Sequence, residues 1–241
     1  KHFFKKASVL LLALSSFGLV ACGETPDSTN LDTSEVTSDP YDTKTIEYAR
    51  SAEEGEELIV RGTVLARTFA SGKTPNGVLI ADGTSSIYAY GNFSQRVQKG
   101  DLITIKGTKT YFIMDSEKDA AAKIGYAGST QIADVELLDK VENGGNWDKT
   151  TVPEVTVKEL LSTPLSSSHD ITGLVVHADA KIVKAPGSGF TNYFIDDIDG
   201  KTGTYAYSSN NGADYDWLDP FDGKICSTYF TVLNAKSTST G

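Results

Sequence analysis

Cysteine is almost missing from this chain. Among 241 residues only Cys22 and Cys226 carry a thiol, so no framework of disulfides can staple the fold and a hydrophobic core has to hold it. Histidine is nearly as scarce, at positions 2, 169 and 177. There is no Gly-x-Ser-x-Gly elbow, no phosphate-binding loop and no His-Glu-x-x-His pair, so the hydrolase and nucleotide classes that such motifs announce find no footing. Positive charge is short as well: 22 Lys+Arg stand against 32 Asp+Glu, a net charge of −10. Non-specific grip on a polyanion depends on cations that neutralise phosphates, and this composition puts it at a disadvantage. Long apolar runs are also wanting. The longest, residues 9–20, is broken by Ser15, Ser16 and Gly18, whereas a membrane-spanning helix takes about twenty apolar residues.

What is present begins with that run. Lys1, Lys5 and Lys6 precede it and small residues follow it, the pattern of an export signal over residues 1–21. Without the signal the net charge becomes −13. Residues 22–44 are rich in Thr, Ser, Asp and Pro with hardly an apolar side chain. They cannot bury enough surface to order themselves, and read as a flexible tether.

Beyond the tether the chain repeats itself. The stretch SSIYAYGN (85–92) is echoed by TGTYAYSS (202–209), and residues 45–64 align with 156–175 without a gap at an offset of 111, pairing Thr45 with Thr156, Ser51 with Ser162 and Gly62 with Gly173. Each unit reads in one order. A threonine able to cap free N–H groups opens a short helix, and an alternating strand interrupted by glycine follows. A hairpin comes next, with Asp82-Gly83 at its turn in the first unit, and then a strand after a glycine-led turn. The units are 45–141 and 156–241, joined by a linker at 142–155. The second is expected to stop short of a closing strand. Even spacing of strands with only short helices favours an all-β architecture.

Two resemblances follow from these residues. Leu19-Val20-Ala21-Cys22 resembles the bacterial lipobox, which implies lipidation at Cys22, a membrane partner through the lipid, and an extracytoplasmic location. The order Val60-x-Gly62-x-Val64, Gly77, Ile80, Asp82-Gly83-Thr84, Ile87-Tyr88-x-Tyr90, Gly100-Asp101-x-Ile103-x-Ile105-x-Gly107-Thr108 resembles an OB-fold of the type in secreted bacterial nucleases and related surface lipoproteins. The second unit departs from it, with Lys224 in place of Asp101. The implied fold is two tandem OB-fold-like β-barrels after a signal peptide and linker. The implied activity is binding without catalysis, of single-stranded nucleic acid, of glycan or of a protein. The alternatives are a spacer, or the N-terminal region of a larger secreted nuclease or phosphatase.

Candidate ligand contacts come from strand alternation. Tyr88 and Tyr90 share one face of a strand and Tyr205 and Tyr207 repeat the arrangement; such rings either fill a core or stand out as a stacking platform. Cationic support lies in the first unit, at Arg61, Arg67 and Lys106 above all, with Lys73, Arg96, Lys99 and Lys109 on or beside the strands. No catalytic residue, cofactor or oligomer is expected. Acidic loops at 196–200 and 214–223 resemble calcium sites in composition but not in spacing, so no metal is expected either. Cys226 aligns with Ile103 and reads as a buried thiol.

Overall fold

The computed structural model describes residues 39–68, 74–162, 166, 170–186, 191–199, 203–205 and 216–232. The described part is mostly β, in two sheets. The first half opens with α1 (Ile46–Ser51) and continues through β1 (Glu57–Thr68), β2 (Gly77–Ala81), β3 (Ser86–Tyr90), β4 (Leu102–Phe112), α2 (Lys118–Lys123) and β5 (Ser129–Val141). Pairing runs from β1 through β2, β3, β5 and β4 back to β1, a closed ring in which only β3 and β5 are parallel. Alternation along each strand sends Leu58, Val60, Val64, Val78, Ile80, Ile87, Ala89, Ile103, Ile105 and Ile132 into one buried cluster. Phe93 and Val97 join it from the segment after β3.

Gly62 has a reason other than a bulge. A Cβ there would meet the Ala81 carbonyl oxygen at 3.0 Å and Ile46 Cδ1 at 3.1 Å, so glycine lets α1 and β2 close on β1. The register shift in β1 comes later, between Val64 and Ala66.

The second half comprises α3 (Val157–Ser162), β6 (Val175–Pro186), β7 (Thr191–Asp196), β8 (Gly203–Tyr205) and β9 (Ile225–Thr231). These strands form an open sheet in the order β8-β7-β6-β9. It is the order of the first ring with no counterpart of β5 among the described residues, where a second barrel was expected.

The two halves share details of turn geometry, hydrogen bonding and strand register. Gly100 and Gly223 both sit in left-handed turns, at φ 94° and 74°. Gly100 N–H donates to Val64 O, and Gly223 N–H to Ile182 O; Val64 N–H donates to Asp101 O, and Ile182 N–H to Lys224 O. Lys44 N–H reaches Ile59 O as Val155 N–H reaches His177 O. Tyr88 stands opposite Leu79 as Tyr205 stands opposite Phe194. Each helix is also capped from the hairpin, by the Asp82 carboxylate on Ile46 N–H at 2.7 Å and by the buried Asp197 carboxylate on Lys158 N–H at 2.8 Å.

These equivalences correct the ungapped alignment. The helices differ by 111 positions, as expected, but Val64 matches Ile182, an offset of 118. Seven extra residues therefore lie between α3 and β6. Gly173 is not a strand residue matching Gly62, which corresponds to Ala180; it occupies a left-handed turn, φ 73°, before β6 begins.

Asp82 does more than cap, since its other oxygen accepts from Thr84 N–H at 2.9 Å and Ser85 N–H at 3.2 Å. Replacing Asp82 by Ala frees four donors at once, three backbone N–H groups and the Thr84 hydroxyl. Urea denaturation should show a loss of about 2 kcal/mol, while Asp82→Asn, which keeps one acceptor, should lose less.

Candidate functional site

Strand β3 places the tyrosines as alternation requires, with Ile87 and Ala89 in the ring's interior and Tyr88 and Tyr90 outside. Outside is not exposed, however. Tyr88 is 2 % accessible, because the second half lies across it: a Cβ on Gly173 would be 3.2 Å from Tyr88 Cδ2, and the Thr231 side chain lies near the phenol. Burial raises its pKa far above the usual phenol range, with the neighbouring Tyr90 adding to the shift. The expected open platform is thus corrected for Tyr88, whose ring has no free face for a base or sugar. Tyr90 is half-buried at the margin, 5.9 Å from Tyr88 between ring centres and tilted by 49°. Burial raises its pKa too, with the nearby Thr68 side chain opposing.

The seam between the halves is polar and closely satisfied. Arg50, at the last turn of α1, donates through Nη1 to Ser86 O (3.0 Å) and Thr172 O (2.8 Å) and through Nη2 to Asp170 O (2.8 Å). Ser86 Oγ donates to Gly173 O at 2.7 Å and accepts from Val175 N–H at 2.8 Å. The Asp170 carboxylate accepts from Thr130 N–H at 2.8 Å across the seam and from its own neighbour, Thr172 N–H, at 2.9 Å. The Tyr126 hydroxyl reaches the same carboxylate at 3.4 Å. Arg50, Ser86 and Asp170 carried no motif, and only the seven-residue excess marks their meeting place in the sequence.

Lys109, in register with the interior Ile132, lies within reach of the charges of the seam and not on an open surface. It is 0 % accessible, its Nζ has no hydrogen-bond partner, and the ammonium sits 3.6 Å from the centre of the Tyr111 ring. Burial pushes its pKa down to about 8, with Arg50 pushing the same way and Asp170 opposing.

The remaining cations do not gather with the tyrosines. Arg61 and Lys106 share the outer face of β1 and β4, where Arg61 is opposite Thr104 and Lys106 opposite Ile59. Lys106 is held by Glu57 at 2.8 Å. Arg61 is half-buried, donates to no acceptor among the described residues, and lines a shallow groove with Thr43, Lys44, Thr45, Thr63 and Asp82. Arg67 lies at the far end of β1, opposite Val78. Tyr205 is placed by its backbone on β8, while Tyr207, Lys73, His169 and the lipidation residue Cys22 lie outside the described residues.

On the second sheet the face equivalent to Arg61 and Lys106 carries Asp179 and Tyr229. There Trp147, Tyr229 and His177 form a row, 5.5 Å and 4.6 Å between ring centres. His177 Nε2 is 2.6 Å from Ser227 Oγ, and Nδ1 is 3.3 Å from Glu154 Oε1. Cys226 is half-buried, more open than expected, its side chain packed at the edge of the Ile182–Tyr193–Leu218 cluster. Among the described residues no group of three or more His, Cys, Asp or Glu is arranged to hold a metal ion.

No family model matches the chain, and neither does any curated protein. Among solved structures, a murine DNA-binding protein bound with double-stranded DNA overlaps it at a TM-score of 0.31 and 15 % identity, over 61 % of this chain and 71 % of that one. A likeness of that grade carries no argument about either fold or ligand.

The buried ammonium makes the stability of the chain depend on pH in a definite direction. Because the folded pKa of Lys109 lies below the ordinary 10.5, the unfolded chain binds the extra proton between about pH 8 and 10.5, and stability rises with pH across that window. Below it, both states are protonated and the gain is absent. Urea denaturation at pH 7 and pH 10 should differ by on the order of 2 kcal/mol, and Lys109→Met should raise stability at pH 7 and flatten the rise.

Proposed function

We propose that this chain is a non-catalytic binding protein of the bacterial envelope, anchored by lipid at Cys22, tethered by residues 23–44, and built from two OB-type units. The strand order of the first ring, repeated less one strand in the second sheet, supports the OB reading. The hairpin carboxylates that cap both helices support duplication. A fold of this type hosts many ligands, so the ligand has to be argued from side chains.

Arg61 carries that argument. A half-buried guanidinium that donates to no acceptor among the described residues, in a groove it shares with Lys44, can receive an anionic oxygen, although the Asp82 carboxylate lines the same groove. The first half is also the less acidic, with a net charge of −2 over residues 45–140 against −5 over 150–236. Single-stranded nucleic acid is the first ligand on this reading, its phosphate seated at Arg61. The neutral alternative is a glycan on the Trp147–Tyr229–His177 row, which an acidic surface does not repel.

Fluorescence anisotropy of a labelled 12-nucleotide oligothymidylate against residues 22–241 at low salt should show saturable binding. Arg61→Ala should weaken it about tenfold, the loss of one charge-assisted hydrogen-bonded contact. Lys106→Ala should change it little, since that cation already answers Glu57. No binding at low salt removes the nucleic-acid version, and binding of a neutral oligosaccharide abolished by Tyr229→Ala replaces it with the glycan one.

A further inference from the structure

Strand β9 ends the second sheet on one side, with no strand beyond it among the described residues. In the first half the equivalent strand, β4, has β5 paired along it from Leu102 to Phe112. The ladder shows which backbone groups of β9 are left over. His177 N–H donates to Pro153 O, and His177 O accepts from Val155 N–H, so the His177 backbone is turned away from β9. Tyr229, directly opposite, therefore turns its own N–H and C=O to the open edge, and at a period of two Ser227 and Ile225 do the same. None of these three N–H groups donates to an acceptor among the described residues. Proteins ordinarily blunt such an edge with charge, proline or a covering segment. From Ile225 to Thr231 the strand reads ICSTYFT, with neither charge nor proline, and Ile225 and Tyr229 are 59 % and 39 % exposed.

We propose that β9 pairs antiparallel with β9 of a second copy of this chain, about a two-fold axis through Ser227. The strand is its own complement in that register. Ser227 stands opposite Ser227 of the second copy, and on either side of the axis Ile225 stands opposite Tyr229, so every outward-facing residue meets another. Each such pair exchanges two backbone hydrogen bonds. The two exposed apolar side chains cover one another, an aromatic ring against a β-branched chain, and Cys226 meets Thr228 on the other face. An axis at Thr228 instead carries the pairing out to Thr231, whose side chain already lies near Tyr88 in the first half, and leaves Ile225 opposite a threonine. Charge permits the match even though the chain is acidic, at −10. No like charges come opposite one another along β9. Asp179, one strand in and opposite Ser227, is three strand spacings from its counterpart, about 14 Å, and a separation of that size exceeds the Debye length of about 8 Å at physiological salt.

This edge is independent of Arg61 and of any ligand, and its test needs no oligonucleotide. Sedimentation of residues 22–241 under reducing agent, from about 1 to 300 µM, should show the mass rising from one copy to two. Ser227→Pro removes one outward N–H and leaves the ladder to β6 whole, so the variant should stay monomeric throughout, with circular dichroism checking its fold. Ser227→Ala, which keeps the N–H and loses only the hydroxyl, should pair like the parent. Ile225→Lys should weaken pairing about tenfold, and it decides the matter if the proline variant fails to fold. The register has its own check. With Cys22→Ser and Cys226→Ser in place, Ser227→Cys sets one thiol on each side of the axis, where opposite Cα atoms of a hydrogen-bonded pair are about 5.5 Å apart, and mild oxidation should link two copies. A parent chain that stays monomeric, pairing that survives Ser227→Pro or is lost in Ser227→Ala, or absence of the link where the mass doubles overturns the proposal. Slow amide exchange at Ile225, Ser227 and Tyr229 at the lowest concentration also overturns it, because a strand of the same chain then fills the edge.

Discussion

One guanidinium ties the two halves together. Arg50 lies at the end of a helix of six residues, yet its three hydrogen bonds reach the β3 carbonyl at Ser86 and two carbonyls of the segment entering β6. Carbonyls in irregular backbone between two sheets would lose water on docking and gain nothing from a ladder, and a buried carbonyl left without a donor costs about 1–3 kcal/mol. A planar fork of N–H groups can serve several such acceptors at once, where a lysine would offer a single point charge. Ser86 completes the arrangement by donating to one backbone group of the segment and accepting from another.

The second half has reason to lean on this seam. Where the ring carries Val60, Ile103 and Ile105, the equivalent positions of the open sheet carry Ala178, Cys226 and Thr228, and its described core breaks into two clusters of three buried residues instead of one of fifteen. Each substitution of that kind removes apolar area worth about 25 cal/mol per Å². In the ring, β5 adds Ile132, Val135 and Leu137 to the interior. Nothing described plays that part in the second sheet, and Phe230 on β9 is only half-buried. The covered face of β3 therefore serves both partners: Tyr88 escapes solvent, and the weaker sheet gains a neighbour.

Much of this was legible in the sequence. Alternation placed β1 to β5 and set Ile87 and Ala89 inward, the Asp82-Gly83 pair marked the hairpin, and the threonines at 45 and 156 cap their helices as expected. The echo of Tyr88 in Tyr205 survives as a match in strand register. What misled was a coincidence of glycines. Gly62 and Gly173 align without a gap, but one is small to admit a helix and the other is glycine because its φ is positive; identical letters answered different constraints, and a seven-residue insertion hid between them. Burial of Tyr88 was illegible for a related reason. Strand periodicity tells inside from outside a ring and carries no information about what a second unit lays against the outside.

The placement of the seven extra residues also bears on how the two halves differ. Lengthening a loop by seven residues is cheap, since closure entropy grows only with the logarithm of loop length, and the cost is independent of what the loop then touches. Both halves have the same internal devices: the hairpin carboxylate on the helix, the glycine turn before the fourth strand, and the bridge from the preceding segment. They differ on their outer surfaces. Where the first half carries Arg61 and Lys106 the second carries Asp179 and Tyr229, and the segment before β6 is long enough to reach Arg50 in the first half. Interior constraints act within each half and hold the two alike, whereas the outer faces answer to whatever lies beyond, so it is there that the halves differ and that the seam has formed.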